Sequence, residues 1–283
     1  MKDIWEEQLK WLESGEPFVL ARVIRTWRSA PRKSGAGMLI GKGTAKDSLP
    51  KVLGSVSGGC IEGAVIEEAL DVLESEKSRK LSFGVEDDLA LSVGLSCGGE
   101  VTVLLEKHWA FSTMLETKNV WSALQSCIRN NEPAILISAL PKENGSSAEN
   151  PTPLLILPEG ENVGGMQNNF EEVSALAEEA YKERENKIVE IGGEEYFMQI
   201  FPRRDQLLII GAGHITIPLV RFAKELDFLT VVIDPRTVFA NPERFPVPPD
   251  QLISKWPEDV LPDFPLNEDT YAILLTHDPK IDD

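Results

Sequence analysis

The chain has 283 residues and a 42% hydrophobic fraction, enough for two domains, each burying its own core. Its 28 basic and 46 acidic side chains leave a net charge of −18, which argues against binding to nucleic-acid backbones and for solubility or a basic partner surface. No apolar run approaches the roughly 18 residues of a membrane span, and the acidic start Met1-Lys2-Asp3-Ile4-Trp5-Glu6-Glu7 does not read as a signal peptide.

From the N-terminus, Ile4, Trp5, Leu9 and Leu12 recur at helical spacing. Residues 18–27 read as a strand, followed by the loop Arg28 to Gly35 and a short strand over 38–40. A glycine-rich turn then leads into a helix over 61–73, with Ile61, Val65, Ala69 and Val72 on its apolar face. The pattern continues with a strand over 101–105, a helix over 114–129 and a strand over 134–140. Residues 141–153 are rich in Pro, Asn, Gly and Ser and read as a loop. A helix over 170–184 precedes a hairpin of 187–191 and 196–201 around Gly192-Gly193.

The texture changes after Phe201. Gln206 to Ile210 is a short continuous apolar run closed by Gly211, as a buried parallel strand reads. A helix over 214–226 and strands over 230–233 and 271–275 follow. The predicted class is α/β: an N-terminal α+β domain over 1–201, then a Rossmann-like parallel-sheet domain over 202–283. No internal repeat or coiled-coil heptad is visible.

Three motifs carry chemistry. The first is Gly54-Ser55-Val56-Ser57-Gly58-Gly59-Cys60-Ile61-Glu62-Gly63, which delivers a cysteine to a helix start. Unpaired N–H groups and the helix dipole there attract anions and favour thiolate over thiol. A buried, merely apolar Cys60 is the competing reading. A second small-residue peptide, Gly94-Leu95-Ser96-Cys97-Gly98-Gly99-Glu100, sets another cysteine beside a Gly-Gly pair. Cys127, within a predicted helix, reads as core. Three cysteines argue against a disulfide framework, and without a C-x-x-C structural zinc is not predicted. Together with the absent signal, this predicts a cytoplasmic protein.

The second motif is the basic loop of Arg28, Arg32 and Lys33, suited to phosphate or carboxylate, or else a solvated loop. The third is Gly211-Ala212-Gly213-His214-Ile215-Thr216, close to a dinucleotide fingerprint but with Thr216 at the third small position. Asp234, ending the next strand, sits where ribose hydroxyls are bound, and Arg236 suits a phosphate, so NAD and NADP both stay open. A fold that binds no free dinucleotide is the alternative. His214 and His277 fall where open parallel sheets bind ligands.

These peptides together resemble the XdhC/CoxI family, accessory proteins of molybdenum hydroxylases such as xanthine dehydrogenase. Ser29-Ala30-Pro31-Arg32 with Gly35 and Met38, Gly54 to Gly63, Gly94 to Glu100 and Gly211-Ala212-Gly213-His214 carry the resemblance. Asp234-Pro235-Arg236, Arg244-Phe245-Pro246 and Leu275-Thr276-His277-Asp278 extend it along nearly the whole chain. It implies a cofactor chaperone rather than a catalyst. Such a protein binds molybdenum cofactor (molybdopterin), supports its sulfuration with a cysteine desulfurase, and inserts it into the hydroxylase apoenzyme.

The candidate cofactor-binding set is Arg32, Ser55, Ser57, Gly58, Gly59, Cys60, Cys97, Gly98, Gly99, Gly211, Gly213, His214, Asp234 and Arg236. Cys60 stands as molybdenum contact, sulfur carrier or wall of the pocket. An NAD(P)-dependent oxidoreductase and a cysteine-based sulfur-transfer enzyme are the competing functions. Family members continue past the strand over 271–275, whereas this chain stops at Asp283. The expectation is a fragment or a trimmed domain, its open sheet edge covered by missing residues or in a homodimer.

Overall fold

A computed structural model describes residues 1–28, 30–43, 49–84, 99–142, 151–157, 160–165 and 169–276. The chain forms two compact units, Met1–Pro202 and Arg203–Asp283.

The first unit holds two antiparallel five-stranded sheets. Strands β1 (Phe18–Trp27), β2 (Gly37–Gly41), β3 (Lys51–Gly54), β4 (Arg79–Phe83) and β5 (Glu100–Lys107) form one, in the order β3-β2-β1-β5-β4. Strands β6 (Ala134–Ala139), β7 (Leu154–Ile156), β8 (Asn162–Gly164), β9 (Lys187–Ile191) and β10 (Glu194–Phe201) form the other, in the order β8-β7-β6-β10-β9. Helix α1 (Trp5–Glu13) precedes the first sheet, α2 (Glu62–Ser75) joins β3 to β4, α3 (Leu115–Asn130) joins the sheets, and α4 (Phe170–Glu183) joins β8 to β9.

The period-two alternation of strands explains the layering. Leu20 and Leu39 of the first sheet meet Leu136 and Leu155 of the second in a shared core, flanked by Trp11 of α1 and by Val120 and Leu124 of α3. The intervening residues Val19, Ala21, Met38 and Ile40 point the other way, onto Val65, Ala69 and Val72 of α2. Ile135, Ile137, Leu154 and Ile156 do the same beneath Val173, Ala177 and Ala180 of α4. Each valine so buried contributes about 1.5–3 kcal/mol. The result is a helix–sheet–sheet–helix sandwich. Strand β1 is buried on both faces, which is why it reads as a near-continuous apolar run.

One charged group crosses the middle layer. Arg22 of β1 is fully buried; its Nη2 donates to Glu106 Oε2 of β5 at 2.6 Å and to Ser138 Oγ of β6 at 2.7 Å, and its Nη1 donates to Gln199 Oε1 of β10 at 3.0 Å. The guanidinium also lies over Trp109 and Phe197. A guanidinium fork suits this position because it can bond three acceptors at once. His108 is buried against Phe18, Trp109, Phe111 and Trp121. Burial and Arg22 push its pKa down to about 3, so it is a neutral core histidine.

The second unit is a parallel sheet, β13-β12-β11-β14, from β11 (Gln206–Ile210), β12 (Leu229–Ile233), β13 (Gln251–Ile253) and β14 (Thr270–Leu274). Helix α5 (Thr216–Glu225) covers one face through Val220 and Ala223. Val260, at the end of the short α6 (Pro257–Val260), packs with Leu261 and Phe264 on the other. The chain is thus mixed α/β, with antiparallel sheets first and a Rossmann-like parallel sheet after them. Strands β3, β4, β7, β8 and β13 have no counterpart in the sequence-based prediction. β7, β8 and β13 span three residues each, too few to establish a period.

Candidate functional site

The antiparallel order of the first sheet brings three connections to one end. β1 finishes there at Trp27, β3 at Gly54 and β4 at Phe83, while β2 and β5 begin there. The loop with Arg28, Arg32 and Lys33, the Cys60 turn and the β4–β5 connection therefore leave from the same rim. Cys97 and Gly98 lie outside the described residues, and Gly99 is buried at the foot of β5.

The Cys60 turn is an anion seat, but the chain's own Glu62 fills it. Glu62 Oε1 accepts from the Ser55 hydroxyl at 2.7 Å and from the N–H groups of Val56, Ser57 and Gly58 at 3.3, 2.9 and 3.0 Å. Its Oε2 accepts from the Ser57 hydroxyl at 2.5 Å and Gly59 N–H at 2.9 Å. Burial pushes the carboxyl pKa up, but the hydrogen bonds from Ser57, Ser55 and the backbone outweigh it, leaving the pKa at about 2. Ser57 Oγ also accepts from the N–H groups of Cys60 and Ile61 at 3.0 and 3.1 Å, capping the helix start. The expected anion seat is thus occupied in this structure by the carboxylate in the first turn of α2, and the Ser55 and Ser57 hydroxyls bond to it.

What the turn leaves outward is Cys60, half-buried, and the exposed Gly58 and Gly59. Open space surrounds the missing Cβ of Gly59, whose φ of +119° suits glycine. Pro31 packs over Gly58, and Arg32 Nε donates to the Ser55 carbonyl at 3.2 Å. The basic loop is thus tied to the cysteine turn. Arg32 also pairs with Asp3 and remains 33% exposed. Beside it a cleft of about 380 Å³ is lined by Arg32, Lys33, Gly35, Asn186 and Gln199 among others. Trp27, which sequence reasoning treated only as a strand end, is 51% exposed on this rim, with Arg28 over its ring. The missed signals were an acid at the first helical position after Gly-Gly and a tryptophan before a charged loop.

In the second unit, Gly211 takes a φ of +105° and passes against Thr276 and Leu275, leaving no room for a Cβ. Thr216 is buried, and its hydroxyl donates to the Gly211 carbonyl at 2.6 Å, so the third position of the fingerprint closes the turn on itself. Gly213 is half-exposed and His214 is exposed. Asp234 is 0% exposed: Oδ2 accepts from Ala212 N–H and Arg236 Nη2, and Oδ1 from Arg236 N–H and Nε. Burial raises its pKa, but Arg236 and the Ala212 N–H lower it further, so it stays ionised and internally paired. His277 lies outside the described residues.

Comparison with known proteins bears on both units. Residues 11–84 match the XdhC and CoxI family, and residues 207–283 match the XdhC Rossmann domain. A Bacillus subtilis (strain 168) protein, described as a probable subunit of xanthine dehydrogenase, is 25% identical over 273 residues, covering 94% of this chain and 74% of that one. The Escherichia coli (strain K12) molybdenum cofactor insertion chaperone PaoD is 32% identical over 108 residues, 38% of this chain and 32% of PaoD. Among solved structures, a xanthine dehydrogenase from Bacillus halodurans superposes with a TM-score of 0.70 at 26% identity, covering 96% of this chain and 74% of that chain. With a matching model on each unit and relatives spanning nearly its whole length, this chain belongs to the XdhC and CoxI family.

Proposed function

We propose that this protein is an accessory factor that binds molybdenum cofactor at the rim of the first sheet and delivers it to a molybdenum hydroxylase. The observation that carries the proposal is the convergence of the Cys60 turn, the basic loop and the connection containing Cys97 on one sheet end. The names of two relatives support it, one a molybdenum cofactor insertion chaperone and the other a probable subunit of xanthine dehydrogenase. The donor set divides by chemistry. Cys60, framed by glycines, suits a soft metal–sulfur centre. Because Glu62 occupies the backbone donors of the turn, the phosphate end of the cofactor falls instead to Arg32 and Lys33 at the neighbouring cleft. The exposed Trp27 ring offers a planar face for the pterin.

The test uses molybdenum cofactor released from a purified hydroxylase. After gel filtration, the wild-type chain should retain stoichiometric molybdenum with pterin fluorescence. Cys60→Ala should lower retention roughly tenfold. No retained molybdenum in the wild type would refute the proposal; equal retention by Cys60→Ala would remove the thiol from it. Sulfuration with a cysteine desulfurase, a homodimer and a cytoplasmic setting belong to the same reading. A mass increment of sulfur on Cys60 after incubation with a desulfurase would make it a carrier, and no increment would leave it a contact.

The competing NAD(P)-dependent oxidoreductase meets an obstacle in the second unit. Asp234 would have to surrender Arg236 and the Ala212 N–H before receiving ribose hydroxyls. Leaving such a buried charge unpaired costs several kcal/mol. Calorimetric titration with NAD and NADP is therefore expected to show no heat of binding at millimolar concentration. A saturable isotherm would restore the dinucleotide reading.

A further inference from the structure

The two sheets of the first unit share more than strand order. Leu20 pairs with Leu39 on one side and Glu106 on the other; Leu136 pairs likewise with Leu155 and Gln199. The register holds along each pair of strands, so that Val19, Ile40 and Lys107 correspond to Ile135, Ile156 and Ile200. The buried helix positions Val65, Ala69 and Val72 match Val173, Ala177 and Ala180. Both 14-residue helices end in a left-handed residue, Glu76 and Arg184.

The strand before each helix ends the same way. Gly54 and Gly164 both have positive φ, and a Cβ on either would strike a carbonyl oxygen, that of Gly37 or that of Pro153. Those same carbonyls accept from Ser55 N–H at 3.2 Å and Gly165 N–H at 3.3 Å. A shared positive-φ glycine with a shared hydrogen bond is not demanded by strand order alone.

Against this common frame, the differences are local. Residues 55–61 link β3 to α2, whereas the shorter 165–169 link β8 to α4. Residues 84–99 link β4 to β5, whereas only Gly192-Gly193 link β9 to β10. The two peptides that bear Cys60 and Cys97 are thus two of the places where the first half is longer. Where the first half has Glu62, the second has Phe170.

We infer that the first unit is a tandem duplication of one βββαββ module, and that the Cys60 turn is an insertion in the first copy, on a scaffold that folds without it. Among its described residues the second copy has no counterpart of the Cys60 turn. The ligand test of this inference rests on the proposed cofactor binding; the duplication does not.

Two variants test it in the full chain. In one, residues 55–62 are replaced by the six residues 165–170 of the second copy. In the other, residues 84–99 are replaced by Gly-Gly. Both should keep the wild-type far-UV circular dichroism and a single cooperative unfolding transition, because each connection already closes the same frame in the second copy. The first should lose retention of molybdenum cofactor. A control that inserts four residues between Gly192 and Gly193 should retain it. Failure of both variants to fold would overturn the scaffold inference. A folded first variant that retains the cofactor like a binding wild type would overturn the placement of the site. A wild type that binds no cofactor, with both variants folded, would refute the proposed function and leave the duplication standing.

Discussion

Replacing Glu62 by alanine is expected to cost about 3 kcal/mol of stability and to abolish cofactor retention, because one carboxylate organises the whole Cys60 turn. It gathers four backbone N–H groups and two hydroxyls, and Val56 and Ser57 among these donors are buried. Without it, the buried donors lose their partner while the exposed Gly58 and Gly59 rehydrate, which limits the cost. Glu62→Gln should cost about 2 kcal/mol, since one acceptor oxygen becomes a donor facing donors. The pH dependence follows with a definite sign. The folded pKa is about 2, below the ordinary 4.5, so the contribution is fully present above pH 4.5 and is lost as pH falls toward 2. Discounted for partial exposure, it amounts to about 1–2 kcal/mol. Urea unfolding of wild type and Glu62→Gln between pH 7 and pH 3 checks both points. A gap between the two proteins that fails to narrow on acidification would contradict this account of the turn.

The second large effect lies in the inter-sheet layer. Arg22→Met should destabilise by about 3–5 kcal/mol, because Glu106 would remain buried without its cation. The double variant Arg22→Met with Glu106→Leu should recover much of that loss, since two apolar groups of similar volume replace the pair. Recovery stops short of complete because Ser138 and Gln199 also lose a partner. Denaturant midpoints for the two singles and the double give the coupling directly. Equal stability of Arg22→Met and wild type would show that the pair is not needed to hold the sheets together.

Some of this was legible in the chain itself. The second unit announces itself because Gln206–Ile210 and Leu229–Ile233 are buried on both faces, so their apolar runs are continuous and end at glycine or aspartate. The amphipathic faces of α2 and α4 likewise fall at helical spacing. The duplication stayed hidden because what repeats is chiefly burial. Val65 answers to Val173 and Ala69 to Ala177, but Val72 to Ala180, and a small apolar stripe of this kind is what any buried helix face produces. At the candidate site, residue types revealed the donors but not who takes them. Glu62 and Arg236 sit within a few positions of the groups they bind, and a partner tethered at that distance acts at a high effective concentration. Sequence reasoning therefore read the residue types of these loops but not the internal contacts that Glu62 and Arg236 make.

The pairing of Phe83 with Val101 has a consequence for how much chain this fold can host. Adjacent strands hold the two ends of the 84–99 connection together whatever lies between them. Loop-closure entropy grows only with the logarithm of length, so even a connection with no structure of its own would add only about 2 kcal/mol over the two-residue turn at Gly192-Gly193. Paired strand ends thus act as a docking port for extra sequence: segments there can lengthen and change composition while the sheet beneath them keeps its stability.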